Sequence, residues 1–383
     1  MPGPLLSFDD PRAIELRERT RAYVQSVARQ KGAEWEAAGT TPREVYAQLA
    51  EFGGLGLSHP VEYGGGGLGP VAAVIFAEEI SRCTYTGMPE AVLIHSEMAS
   101  THISKNGSAE QKRRYLPGMI GGSIICSIAV TEPEAGSDVA AMTCAAGRGA
   151  DGWVLNGTKS YVTNALHGDV FIVAARTDPT VKPSRGLSLF AVERDTPGLT
   201  ILPMAPKHGM LSSDIASLVF ENATIPFDTL IGEENRGFYG IMQNFQNERL
   251  VLGAMSLGMG LEALDLTIAH LRARRAFGGT LWDIQSGRQQ IAMLSARMQA
   301  VRTLVQETAV RSARGEDCVR EVSMVKALAG ETLQDIIRVC LQLYGGAGYL
   351  QDSAIERLGR DARLMTIGGG ATEVLLEEVA KRL

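Results

Sequence analysis

The feature that most constrains the fold is a change of residue pattern along the chain, from helical to strand-like and back. The first third of the 383 residues has apolar side chains at three- and four-residue steps, with helix-start patterns at 10–11, 41–44 and 108–111. Five segments rich in β-branched and aromatic residues follow, at 123–131, 153–163, 169–177, 186–193 and 217–225. Helical periodicity then returns at 236–272, 284–314, 319–343 and from about 371. We predict an α+β multidomain protein with an N-terminal all-α domain (1–121), a central β-sandwich or barrel (122–232) and a C-terminal four-helix bundle (233–383).

Charge and cysteine usage narrow the classes of function. The net charge is −6 and no block of Lys and Arg occurs, which disfavours nucleic acid or an anionic membrane as the main partner. Five scattered cysteines without a CxxC or a His cluster predict buried thiols in a reducing compartment, with neither disulfides nor a metal site. We find no basic leader with an apolar core at the N-terminus and no apolar run of membrane-spanning length. We therefore expect a soluble, cytoplasmic protein without a membrane partner.

One acidic residue interrupts an apolar stripe in the segment 238–259. Phe245 and Leu252 lie on one predicted helix face, and Glu248 lies between them, three residues after the first and four before the second. A carboxylate on a buried apolar face is unfavourable unless it is paired, protonated or needed for chemistry. The residues alone leave two interpretations open: an ion pair with the neighbouring Arg249, or a functional carboxylate.

Four turns carry residues suited to binding an anion or a cofactor. Residues 130–138 follow a predicted strand and contain small residues beside Ser and Thr. Paired arginines open the segment 274–285, where they complement a helix dipole or bind a phosphate. The glycine-rich turns at 342–349 and 367–374 present backbone amides that can approach an oxygen anion. Their spacing is not GxGxxG and no βαβ unit surrounds them, so a Rossmann site is excluded.

Taken together, five segments resemble the acyl-CoA dehydrogenase family of flavoproteins. In order, they are VTEPEAGSD, NGTKSYVTN, RRAFGGTLWDIQ, QLYGGAGYLQDSAIERLGRDAR and IGGGATEV. The resemblance covers essentially the whole chain and implies that family's fold: helical domain, β domain and helical bundle. It implies FAD as cofactor, an acyl thioester on CoA or acyl carrier protein as substrate, and an electron-transfer flavoprotein as electron acceptor. Because such an FAD site is assembled from two subunits, the resemblance also implies a homotetramer, a dimer of dimers.

The resemblance further implies roles for individual residues. Contacts to the flavin ring would come from Ile128, Val130, Thr131, Tyr161 and Thr163, with Tyr161 standing where the family often has Trp. The FAD of a neighbouring subunit would be bound by Arg274, Phe277, Gln285, Gln342, Gly345 and Gly346. Further cofactor contacts would fall to Ala371, which replaces the usual Thr, and to Glu373. The thioester would contact Ser137, Arg249, Gly369 and Gly370.

The catalytic base marks a departure from the commoner pattern of the family. Many members carry it in a last-turn Tyr-Glu-Gly-Thr, where this chain has GGGA at 368–371. A branch typified by isovaleryl-CoA dehydrogenase carries it on the bundle helix, in a segment matched here by NERL at 247–250. The resemblance thus implies that Glu248 removes the α-proton while the β-hydride passes to FAD, giving a trans-2-enoyl thioester. Leu93, Ile94 and His95 are candidates for the acyl-tail region, with His95 expected to be a packed polar residue.

Three alternatives on the same fold remain. An acyl-CoA oxidase or a flavin monooxygenase would consume oxygen, and the monooxygenase would not need Glu248. A non-catalytic, nucleic-acid-binding relative would need an added basic C-terminal region, which this acidic chain does not show. The residues do not indicate acyl length or branching, the carrier, or the position of dehydrogenation.

Overall fold

The N-terminal part of the chain folds into helices, as predicted. The structure is a computed structural model and describes residues 5–383, so the first four residues of the predicted domain 1–121 lie outside it. Its helices are α1 (Pro11–Tyr23), α2 (Arg29–Ala38), α3 (Arg43–Glu51), α4 (Gly69–Ile80), α5 (Gly87–Leu93), α6 (Ser100–Asn106) and α7 (Ala109–Ile120). Short π-helical segments join α1 to α2 (Val24–Ala28) and α5 to α6 (Ile94–Ala99), so the two pairs are nearly continuous rods.

Each of the three predicted helix starts is followed by a helix, and two of the three predicted caps are confirmed. The Asp10 carboxylate accepts a hydrogen bond from the Arg12 backbone N–H at 2.9 Å, and Ser108 and Gln111 form the reciprocal capping box of α7. The predicted cap at Thr41 is wrong. The Thr41 hydroxyl donates instead to the Ser212 carbonyl at 2.6 Å, because this buried side chain links the helical domain to a loop of the β domain.

The central domain is one hydrogen-bonded sheet of eight strands. They are β1 (Cys126–Ala129), β2 (Ala145–Arg148), β3 (Trp153–Thr163), β4 (Val170–Arg176), β5 (Leu187–Glu193), β6 (Leu199–Pro203), β7 (Ile215–Ile225) and β8 (Leu230–Ile231). The order is β6-β7-β3-β2-β4-β5-β8, and β1 pairs in parallel with β4. All five predicted strand segments are confirmed. The sequence missed β2, β6 and β8, because β2 is short and rich in Ala and Gly, β8 has two residues, and β6 ends in a proline that suits only an edge strand.

The C-terminal part consists of helices α8 (Gly237–Ala273), α9 (Gln285–Ala313), α10 (Val319–Tyr344), α11 (Ala354–Ala362) and α12 (Thr372–Ala380), with a small hairpin between α8 and α9. Four of these were predicted, and α11 was missed. A single apolar core joins side chains of α1, α3 and α4 to side chains of α8, α9 and α10. The two helical regions, distant in the sequence, therefore form one helical body.

Helix α8 is the longest element of the described structure. Its length and apolar composition would allow it to cross a membrane, so the expectation that no stretch reaches that length is wrong for this helix. Most of its apolar stretch is buried against other parts of the chain, which is typical of a core helix. All five cysteines are buried and free of disulfides, as predicted.

Candidate active site

Glu248, on α8, is buried and has a single hydrogen-bond partner among the described side chains. Glu248 is 5% exposed, and its Oε1 accepts a hydrogen bond from Asn244 Nδ2, one helical turn earlier, at 2.9 Å. Burial raises the pKa of Glu248 to about 7, against the opposing effects of the Asn244 hydrogen bond and the charges of Arg249 and Lys105. A carboxylate poised near neutrality is suited to accept a proton at physiological pH.

The ion-pair interpretation of Glu248 does not fit the geometry of Arg249. The two residues are adjacent on a helix, so their side chains leave the helix axis in different directions. Arg249 Nη1 lies 3.5 Å from Ser323 Oγ on α10, and its guanidinium lies over the Phe245 ring. Within residues 5–383 no ion pair joins Arg249 to Glu248, and the Arg249 Nε has no partner. Glu248 therefore remains available for chemistry.

A π-helical segment joins the Glu248 region of α8 to the first strand of the sheet. The carbonyls of Glu97 and Met98, in Ile94–Ala99, accept hydrogen bonds from Asn247 and Asn244, both at 2.7 Å. Carbonyls in π-helical turns are freed from regular α-helical pairing, which leaves them open to side-chain donors. This segment thereby positions the turn of α8 that carries Glu248.

His95, in the same segment, connects it to β1. His95 Nε2 donates to the Met119 carbonyl at 3.0 Å, and Nδ1 accepts from the Cys126 N–H at 3.0 Å. Since the first partner can only accept and the second can only donate, the ring is the neutral Nε2-protonated tautomer. Burial lowers the pKa of His95 to about 4, in agreement with a neutral ring at physiological pH. The prediction of a packed polar histidine is confirmed.

Two charged residues near Glu248 were missed in the sequence, the buried Glu97 and the exposed Lys105. Glu97 is fully buried, its Oε2 accepts from Ser58 Oγ at 2.9 Å, and burial raises its pKa to about 7. Lys105, on α6, donates from Nζ to Asn244 Oδ1 at 3.2 Å. Neither residue lies in a segment that carries the family resemblance. Only the spacing of Asn244, one turn before Glu248, was visible in the sequence.

A buried ion pair shapes the loop that follows β1. Lys159 Nζ on β3 contacts Glu132 Oε1 at 2.7 Å and donates to the Val130 carbonyl at 3.1 Å. The Thr131 carbonyl accepts from the Ser160 N–H at 2.8 Å. The carbonyls of Val130 and Thr131 are thus used inside the protein. The flavin contacts expected of Val130 and Thr131 stay a prediction.

The other predicted flavin-ring residues lie on β1 and at the end of β3. Thr163 is buried, whereas Tyr161 is 63% exposed and has a left-handed backbone conformation (φ 58°). Ile128 is half-buried on β1, and Ser137 is exposed in the loop after it. An exposed aromatic ring held in a strained backbone conformation is typical of a residue whose contact is a ligand or a partner.

The glycine-rich turn before α12 lies beside α8. Gly369 and Gly370 have φ values of 66° and 106°, and the buried Lys326 ammonium donates to the Gly370 carbonyl. In the described structure the N–H of Gly369 has no backbone partner. A Cβ atom built on Gly369 would lie 2.1 Å from Leu252 Cδ1, so this turn and the Glu248 face of α8 are in close contact. Ala371 caps α12 without a side-chain bond, and Glu373 is exposed in its first turn, where it complements the helix dipole.

The remaining predicted cofactor residues form a separate, exposed group at one end of the bundle. They are Arg274, Phe277, Gln285, Gln342, Gly345 and Gly346. The end of α8 meets the end of α10 there, since the His270 and Tyr344 rings stack at 4.1 Å. From Glu248 to Arg274 the helix rises about 39 Å. The bundle-end group thus lies far from Glu248 along α8.

Comparison with known proteins agrees with this architecture. Sequence models of three protein-family domains match the chain: acyl-CoA dehydrogenase N-terminal domain (10–123), middle domain (127–223) and C-terminal domain (235–383). The chain belongs to the acyl-CoA dehydrogenase family. It is an oxidoreductase of that family, whose members are flavoproteins.

Relatives of known name or structure extend over nearly the full length. The mitochondrial isovaleryl-CoA dehydrogenase of Pongo abelii is 35% identical over 94% of this chain and 86% of its own. The crystal structure of an acyl-CoA dehydrogenase from Geobacillus kaustophilus has a TM-score of 0.92 and 32% identity, covering 96% of this chain and 97% of that one. The FAD complex of PigA has a TM-score of 0.93 and 25% identity, and the match covers 100% of this chain and 99% of that one.

Proposed function

We propose that this enzyme dehydrogenates an acyl thioester to the trans-2-enoyl thioester, with Glu248 as the base that removes the α-proton. The observation that carries the proposal is a fully buried carboxylate, oriented by Asn244 and without an ion-pair partner in the described chain. Its raised pKa makes it a stronger proton acceptor than an ordinary carboxylate. The position that holds the base in other branches is Gly369, which has no side chain to offer.

FAD fits the residues present. The Thr131 N–H and hydroxyl lie in the loop after β1, which the Glu132–Lys159 pair holds in place, and Tyr161 exposes its ring near the end of β3. When bound, FAD supplies the acceptor for the hydride that leaves the β-carbon. The protein's part is to bind and orient it through Ile128, Val130, Thr131, Tyr161 and Thr163, with Ala371 and Glu373 in the last turn.

The group at the bundle end supports a shared cofactor site and a dimer-of-dimers tetramer. Arg274 lies about 39 Å along α8 from Glu248, a distance longer than an extended FAD, so both cannot serve the same cofactor within one chain. Arg274, Gln285 and Gln342 would therefore bind the FAD of a neighbouring subunit, with Phe277, Gly345 and Gly346. The guanidinium of Arg274 is exposed and suited to a phosphate.

The thioester is proposed to lie between Glu248 and the last turn. The N–H of Gly369 would hold the thioester oxygen as negative charge develops on it. Gly370 and Arg249 border this region, and the exposed Ser137 is available to the carrier arm, whether CoA or acyl carrier protein. An electron-transfer flavoprotein is the proposed acceptor. Five buried free cysteines suit a reducing compartment, and a cytoplasmic location stays a prediction that cell fractionation would test.

The test is Glu248→Gln, which keeps the shape and the Asn244 contact but cannot take the α-proton. We expect flavin reduction by the best thioester to slow by about 10²–10⁴-fold, with FAD content and thioester binding unchanged. The matched control is Glu262→Gln on the same helix, which removes a buried carboxylate that is ion-paired with Arg29. It should lower stability without slowing reduction.

The outcomes separate the alternatives. A Glu248→Gln enzyme that reduces flavin at the wild-type rate would exclude Glu248 as the base. A protein that takes up no FAD would remove the proposal as a whole. Rapid oxygen consumption by the reduced enzyme, measured in the same experiment, would favour an oxidase.

A further inference from the structure

A chain of hydrogen bonds leads from Lys105, an exposed residue of α6, to the buried Glu248. Lys105 Nζ lies 3.2 Å from Asn244 Oδ1, and Asn244 Nδ2 lies 2.9 Å from Glu248 Oε1. The Asn244 side chain makes two further bonds, to the Thr101 hydroxyl at 2.9 Å and to the Met98 carbonyl at 2.7 Å. Asn244 is 1% exposed, so its amide has a protein partner on every side.

The chemistry of these partners fixes the orientation of the Asn244 amide. An ammonium can only donate, so Oδ1 must face Lys105, and a carbonyl can only accept, so Nδ2 must face Met98. With both ends determined, Nδ2 always presents an N–H to Glu248. That N–H stabilises the carboxylate form and occupies Oε1, which leaves Oε2 to accept a proton.

The other charges near Glu248 do not replace this arrangement. Arg249 is engaged by Ser323 and Phe245, and Lys326 is engaged by the Gly370 carbonyl. Glu97, in the π-helical segment, is held by Ser58 and adds a second buried anion that Lys105 also faces. The neighbouring histidines His59, His95 and His102 have pKa values lowered by burial and contribute no positive charge at neutral pH.

We propose that Lys105 and Asn244 are positioning residues that keep Glu248 ionised in the free enzyme and determine which of its oxygens accepts the α-proton. Lys105 acts through Asn244: its ammonium fixes the amide, and its positive charge lies near Glu97 and Glu248. This inference rests on the proposed function, since it concerns the ionisation of the base named there. It predicts that the acidic limit of activity is set by residues of α6 as well as by α8.

The first test is the pH profile of flavin reduction in Lys105→Met, which keeps length and removes the charge. We expect the acidic side of the pH–rate profile to shift to higher pH by about one unit, with the rate at high pH nearly unchanged. Lys105→Arg should restore most of the shift because it keeps the charge. The control is Lys207→Met, which removes a half-buried ammonium that is bonded to Met210 and Ser213. It should leave the acidic side of the pH–rate profile unchanged.

The second test measures the protonation of Glu248 without catalysis. Infrared difference spectra between pH 5 and pH 9, with Glu248→Gln as the reference, report the carboxyl stretch of protonated Glu248. In Lys105→Met and in Asn244→Leu this band should persist to a pH higher by about one unit than in the wild type.

The two tests distinguish a failure of this inference from a failure of the proposed function. If Glu248→Gln stays active, the base is wrongly assigned, yet the infrared band still tests the link to Lys105. If Glu248→Gln is inactive but neither the pH–rate profile nor the infrared band shifts in Lys105→Met, the inference is overturned. An equal shift in Lys207→Met would also overturn it, because the effect would then follow from general destabilisation.

Discussion

At the residue scale, the proposed position of the base on α8 is linked to the close approach of Gly369 and Leu252. Gly369 has a left-handed backbone (φ 66°), and a Cβ atom there would lie 2.1 Å from Leu252 Cδ1. A side chain at 369 is therefore disfavoured both by the backbone and by the helix that carries Glu248. A carboxylate side chain at 369 would therefore require the Leu252 Cδ1 methyl to move.

The close approach of Leu252 predicts that a base placed at residue 369 needs a smaller side chain at residue 252. Glu248→Gln/Gly369→Glu should show no recovery of flavin reduction, whereas adding Leu252→Ala should recover part of it, because the new side chain then has space. Single-turnover flavin reduction measures both, and Glu248→Gln/Leu252→Ala is the control for the cavity alone. Equal rates in the double and triple variants would show that Leu252 is not the obstacle.

The buried Glu97 makes a second residue-scale prediction, on stability against pH. Burial raises its pKa from 4.5 to about 7, so the folded protein binds the extra proton between these values and loses stability as the pH rises through them. Glu97→Gln cannot ionise and escapes this loss. The difference in unfolding free energy between Glu97→Gln and the wild type should therefore be larger at pH 8 than at pH 5, in favour of the variant, by up to about 3 kcal/mol. Urea denaturation at both values measures it, and a difference that does not depend on pH would contradict the raised pKa.

At the scale of elements, the loop after β1 is held by one ion pair to β3. Glu132 accepts from Lys159 Nζ, from the backbone N–H groups of Thr143 and Cys144, and from the Thr143 hydroxyl. Both partners are almost fully buried, with side chains 0% and 4% exposed. The pair thus joins three segments of the sheet and sets the path of residues 130–131, where the flavin contacts are proposed.

Removing one partner should therefore be costly. Lys159→Met leaves the Glu132 carboxylate buried without its counter-ion, and we expect a loss of about 3–5 kcal/mol in unfolding free energy, together with weaker FAD retention. Arg19→Met breaks an exposed pair with Glu15 on α1 and should change stability by about 0.5 kcal/mol or less. Similar losses in the two variants would mean that the Glu132–Lys159 pair has no special structural role.

At the scale of the whole molecule, the bundle end exposes large apolar side chains. Phe277 is 94% exposed, Tyr349 is 88% exposed and Leu350 is 58% exposed, and they accompany the proposed cofactor residues Arg274 and Gln342. Exposed apolar groups of this size, gathered at one place, mark an interaction surface. The proposed subunit contact and the proposed shared FAD site thus lie on the same face.

We predict that Phe277→Asp produces a smaller assembly and reduces FAD content together, because a charge would be buried in the contact. Sedimentation velocity gives the size, and the flavin absorbance gives the occupancy. Val61→Asp is the matched control, since Val61 is 70% exposed on the N-terminal helical region. An unchanged assembly in Phe277→Asp would remove the contact from this face.

The sequence by itself determined the order of the domains and the family. Residue periodicity is a local property, so the long helices and the five β-rich segments were visible without any contact information. Asp10 and Ser108 marked helix starts for the same reason. Glu248 was identifiable because a charge on an apolar stripe is also a local pattern.

Only the tertiary structure decided how that carboxylate is held. Asn244, Lys105 and Glu97 come from three different elements, and nothing in their local sequence indicates that they meet. Thr41 looked like a helix cap, but a partner 171 residues away in the chain takes its hydroxyl. The periodicity of a segment shows which face is apolar, whereas the partners of a buried polar atom depend on which segments fold against it.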